Sequence, residues 1–252
     1  MVGVFFIAIP ILISSIPIAC NLLFAIDLRS VTGIFHAFFT LLTLITAFTA
    51  IQANKNNPST KRAWMYFFAG ILMFAISGFA RKITGENSPY LSKILFLIAT
   101  IPIFIFIYLI VNPLRHFLYT KQQKKQIILI YIIIAFLFTL AVIIPILIQL
   151  PTKYRIEHKL LILHSISTLF QLAIIFPISG ILILFGIKPG NLSYLLIGFG
   201  FLSGLITEIM TLYNFFYNTT ITRDLLYITG YLEITYLFMG GLVETFYSRK
   251  NT

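Results

Sequence analysis

This chain of 252 residues is 59% hydrophobic and only 10% charged, whereas roughly a quarter of the residues in a soluble globular domain are charged. That balance excludes an ordinary soluble enzyme and implies a bilayer as solvent. At about 20 residues per span the length accommodates seven or eight helices and no separate soluble domain. The formal charge of +11 does not point to nucleic acid, because Lys and Arg fall almost wholly between or beside apolar segments, as interfacial residues do.

The expected fold is all-α, a polytopic membrane helix bundle of about eight transmembrane helices forming one integral membrane domain over residues 1–252. The first helix covers 3–26 and contains Pro10 and Pro17, two expected kink points. Its apolar run lacks a positively charged leader and is longer than a signal-peptide core, so it reads as a span. Pro17 to Cys20 resemble an imperfect lipoprotein cleavage site, whose use would leave seven spans. After a tight connection at Asp27 to Ser30, the second helix covers 31–53, and a polar loop with Pro58 leads to the third at 63–80. The fourth, 90–111, stops near Pro113 and is followed by the basic segment 115–126 with Lys121, Lys124 and Lys125. The remaining helices are expected at 127–150, 160–186, 191–217 and 224–247. Eight spans place both termini on one side. Lys and Arg slightly favour that side as the cytoplasmic or matrix-equivalent one.

Polar residues inside these apolar segments carry the functional information. Glu208 and Glu233 lie well within the last two helices, where an ionised carboxylate costs several kcal/mol unless it is paired, protonated or turned inward. Each sits on a stripe of small and polar residues: Gly200, Gly204 and Thr211 around Glu208; Thr229, Gly230, Tyr236, Gly240 and Glu244 around Glu233. The second helix repeats the pattern with Thr32, His36, Thr40 and Thr43, and the sixth with His164, Ser167, Thr168 and Gln171. At 1.5 Å per residue both acids fall about 14 Å below the outer boundary and both histidines about 6–8 Å below it. An outward-facing polar pocket drawn from the second, sixth, seventh and eighth helices is the resulting expectation.

Three functions fit such a pocket. Histidines on two membrane helices are what a b-type haem requires, so His36 and His164 are candidate axial ligands in an electron-transfer subunit of a larger complex. The same pocket could carry protons or cations, with Glu208 and Glu233 exchanging protons and Tyr236 and Gln171 as hydrogen-bonding members of the path. The third reading is a structural scaffold with short loops, surrounded by lipid and by other membrane subunits. No catalytic motif appears: there is no HExxH, no nucleophile setting, no phosphate loop, and Cys20 stands alone. No dedicated metal site is expected from spacing, and nucleic acid is not an expected partner.

Overall fold

In a computed structural model the described residues are 2–24, 27–84, 89–111, 158–186, 191–217 and 219–250, with isolated helical positions between 129 and 144. Their elements are seven helices: α1 (Val2–Phe24), α2 (Leu28–Ala53), α3 (Pro58–Thr84), α4 (Pro89–Val111), α5 (His158–Gly186), α6 (Leu192–Tyr217) and α7 (Thr220–Lys250). The expected basic segment 115–126 lies outside the described residues. So does the expected span at 127–150, apart from those isolated positions. Six of these (Leu129, Ile132, Ile133, Phe136, Leu140 and Ile144) are exposed and recur at helical spacing, as on a lipid-facing stripe.

Among the described residues five helices are long and apolar enough to cross a membrane: Ile7–Phe24, Leu28–Ala53, Pro58–Ala80, Leu192–Asn214 and Thr220–Tyr247. Shorter apolar helices run over Ile94–Ile110 in α4 and Gln171–Gly186 in α5. This architecture fits a multi-pass integral membrane protein. Large apolar side chains on its outside, such as Ile34, Phe38, Leu41, Ile45 and Phe48 of α2, follow steps of four and three residues and form a lipid-facing strip.

Several helices start earlier than hydropathy predicts, and capping explains why. The Ser30 backbone N–H and hydroxyl both donate to Asp27 Oδ2, at 3.0 and 3.1 Å, so the expected connection becomes the first turn of α2. Pro58 opens α3, where a missing N–H costs nothing, and the Thr60 N–H donates to Asn57 Oδ1 at 3.2 Å. Thr219 caps α7 by accepting from the Thr222 N–H at 3.2 Å, which brings Thr220 to Arg223 into the helix. In each case polar residues that hydropathy assigns to a loop continue the helix into the interface.

Each helix from α2 to α6 packs against the next, and α7 returns to α2, so the described helices close a six-membered ring with α1 lying against α2 and α7. Phe39, Trp64, Phe67, Phe106, Phe201, Tyr231 and Leu237 fill its centre. Trp64 is fully buried and meets Phe67 and Phe106 edge-on at 5.1 and 5.6 Å, the offset geometry aromatic rings favour. Two neighbours separate α2 from α5 in either direction around the ring.

Candidate functional site

The antiparallel pair α6 and α7 meets along a narrow seam. Ser193, Ile197, Gly200, Gly204 and Thr207 of α6 face Glu244, Gly240, Leu237, Glu233 and Gly230 of α7 in turn. The steps alternate between three and four residues, the repeat that keeps two helices in contact as a left-handed pair. Glycine makes the close approach possible: a β-carbon added to Gly240 would meet Ile197 at 2.5 Å and the Ser193 carbonyl at 3.1 Å. Small residues serve this purpose in bilayers, where apolar area by itself does not drive helices together.

Glu233 occupies space that a glycine leaves. A β-carbon at Gly204 would lie 2.5 Å from its Oε1 and 3.1 Å from its Oε2, so the carboxyl group rests against the α6 backbone. Glu208, also buried, is one turn farther along α6. Counting from helix ends predicts the two acids level with each other. The structure sets Glu233 about one turn deeper, because α7 begins at Thr220 and thereby adds a turn, roughly 6 Å, above it. Side chains lean toward the N-terminus of their own helix. On antiparallel helices Glu208 therefore leans toward the Leu192 end of α6 and Glu233 toward the Thr220 end of α7, which narrows the offset between the two carboxyl groups.

A polar stripe on α5 approaches the same level. Gly198 of α6 packs against the backbone of Ser179 and Ile183, and Leu172 packs with Leu205 and Ile209. That register puts Gln171 opposite Glu208. Ser165, Thr168 and Gln171 recur at three-residue steps and all three are buried. Ser165 Oγ and Gln171 Nε2 have no hydrogen-bond partner among the described residues. Buried polar atoms are ordinarily satisfied, by water where protein offers no partner.

The other expected site residues lie elsewhere. Tyr236 faces α1: its hydroxyl donates to the Ile7 carbonyl at 3.1 Å and its ring lies 5.7 Å from that of Phe199. His36 is exposed on α2, with the Thr40 hydroxyl 3.4 Å from its Nδ1. His164 belongs to α5, and its side chain lies outside the described residues. Among the described residues no three or more His, Cys, Asp or Glu side chains come together as a metal site would require.

At the opposite end of the seam Glu244 forms a cluster that hydropathy alone does not reveal. Its Oε2 accepts from the Ser193 hydroxyl at 2.8 Å and its Oε1 from Asn54 Nδ2 at 3.2 Å. Asn54 caps the C-terminus of α2, its backbone N–H and Nδ2 both reaching the Ala50 carbonyl, at 3.0 and 2.9 Å. One acid thus holds the ends of three helices. Thr245 adds a bond to α2 through the Thr49 hydroxyl at 3.1 Å. In the sequence Asn54 reads as the start of a loop and Ser193 as one serine among many. The available signal is Asn54 standing directly after an apolar helix, a preferred capping position.

Comparison of the chain with protein-family models, with curated proteins and with solved structures yields no match.

Proposed function

We propose that this chain is an eight-span membrane protein, both termini cytoplasmic, that passes protons or a monovalent cation along the α6–α7 seam. The observation that carries this reading is that Glu233 of α7 rests against Gly204, one turn from Glu208 on α6, so that acids from two helices stand within about a turn of each other inside the bundle. Two carboxylates so placed repel each other at hydrocarbon depth, and binding one cation or one proton relieves the repulsion. Ser165, Thr168 and Gln171 of α5 form the approach, with water completing the hydrogen bonds left open at Ser165 and Gln171. An electron-transfer subunit holding haem b between His36 and His164 draws less support, because α2 and α5 lie across the ring and His36 is turned outward.

Proteoliposomes containing a pH-sensitive dye, with a membrane potential applied in sodium or potassium buffers, test the proposal. Dye response or cation uptake well above that of empty liposomes is expected, falling at least tenfold in Glu208→Gln and in Glu233→Gln. No flux above empty liposomes, or flux in both variants equal to that of the unmodified chain, refutes it.

A further inference from the structure

A groove of about 590 Å³ runs along the outer face of α3 near its N-terminus, lined by Pro58, Lys61, Arg62, Met65, Tyr66 and Ala69. The described residues that line it come from one side of α3, because positions three and four apart share a face. The other side of α3 is committed to the core through Ala63, Trp64, Phe67 and Ile71. The described lining therefore lies on the face of α3 turned away from that core.

Its chemistry is graded along the helix. Lys61 and Arg62 stand exposed at the polar end, one turn after the cap at Asn57, and the side chain of neither has a hydrogen-bond or ion-pair partner among the described residues. No Asp or Glu occurs in the sequence between Asp27 and Glu86, so no acid near them in the chain neutralises these charges. Lys55 adds a third exposed cation in the preceding turn. Deeper along the groove come the Tyr66 ring, then Met65, half exposed, and Ala69, which leaves a gap where a larger side chain would fill the floor. Paired cations at the interface with an apolar trough running toward the membrane interior complement an anionic headgroup joined to an acyl chain. A soluble anion would use only the first half, and a zwitterionic lipid would gain little from the two charges.

We propose that this groove binds one anionic phospholipid from the leaflet bordering the α2–α3 turn. Lys61 and Arg62 hold its phosphate, and the acyl chain lies over Met65 and Ala69. Arg62 gives the planar, forked contact that phosphate oxygens accept, and Lys61 gives a point charge.

Native mass spectrometry of the full chain in neutral detergent, titrated with phosphatidylglycerol or with phosphatidylcholine of the same chains, tests this. Phosphatidylglycerol is expected to bind more tightly, at one copy per chain. The Lys61→Gln/Arg62→Gln double variant should lose about thirtyfold in that affinity, at the usual strength of two interfacial basic residues. Ala69→Phe, which fills the trough and leaves both charges, should also weaken binding several-fold. Trp64, the one tryptophan of the chain, shows through its emission whether each variant retains the fold. Should the double variant lose the fold, Ala69→Phe and the lipid comparison still decide the matter. Equal affinity for the two lipids, an unchanged affinity in a folded double variant, or full binding by Ala69→Phe would each overturn the proposal. So would displacement of the lipid by millimolar inorganic phosphate, which would show that the headgroup anion alone is recognised.

Discussion

Replacing Ser193 by Ala and Glu244 by Leu, singly and together, isolates the bond that joins the start of α6 to the end of α7. The donor–acceptor distance of 2.8 Å is at the optimum for an O–H···O bond, and both residues are buried. Interhelical hydrogen bonds between neutral groups in bilayers average about 0.6 kcal/mol and reach about 1.7 at most. Hydrogen bonds to charged groups contribute about 1.5–3 kcal/mol. A coupling energy of about 1.5 kcal/mol is therefore expected for Ser193 with an ionised Glu244, and about 0.6 kcal/mol with a protonated one. The Ser14 and Thr235 hydroxyls, 3.3 Å apart between α1 and α7, make the internal control, since a longer bond between neutral groups should couple at about 0.5 kcal/mol or less. Equilibrium unfolding in mixed detergent micelles, followed by Trp64 emission, supplies the four free energies of each cycle. A Ser193–Glu244 coupling no larger than that of Ser14–Thr235 would refute the assignment of Glu244 as the tie between these helices.

Glycine positions separate by what a methyl group would meet. Gly198→Ala drives a β-carbon to 2.8 Å from the Ser179 carbonyl and 2.9 Å from the Ile183 N; backbone cannot step aside, so a loss of about 1–3 kcal/mol is expected in the same unfolding assay. Gly33→Ala meets nothing within 4 Å and should be neutral or stabilising by up to about 1 kcal/mol, through helix propensity. Tyr236→Phe removes the bond to the Ile7 carbonyl and should cost about 0.5–1.5 kcal/mol, with faster proteolysis within α1 as the readout of its looser docking. Trp64, fully buried against Phe67 and Phe106, should emit at short wavelength and resist iodide quenching until the bundle unfolds; ready quenching of the folded protein would contradict its position.

The class of the fold was legible because a bilayer leaves a strong compositional mark: long apolar segments must satisfy their backbone as helices. Helix ends were less so. Hydropathy measures where a segment leaves hydrocarbon, whereas Asp27, Pro58 and Thr219 determine where the helix begins, and those two points differ by three to five residues, up to about a turn and a half. That difference moved Glu233 relative to Glu208. The stripe of Gly200, Gly204 and Glu208 on α6, and of Gly230, Glu233 and Gly240 on α7, could be read from spacing, since 3.6-residue periodicity survives any boundary error. Which stripes face each other could not. His36 and Thr40 have the same spacing signature as the seam, yet His36 is turned outward, because a helix face acquires a partner only through packing against distant segments. Asn54 and Ser193 escaped notice for a related reason: their significance lies in Glu244, which is 190 and 51 residues away in the chain.

The α6–α7 seam joins neighbours in the chain. Glu208 and Glu233 stand on the two arms of one helical hairpin, α6 ending at Tyr217 and α7 beginning at Thr220, so the seam closes over a short loop and has a small entropic cost. A long crossover would require each acid to enter hydrocarbon on a separate helix and wait for the other. Here the two enter as one unit, with Glu233 against Gly204 of α6. The hairpin can therefore form early during insertion, with α2 and α5 added against a surface whose polar groups are already turned away from lipid.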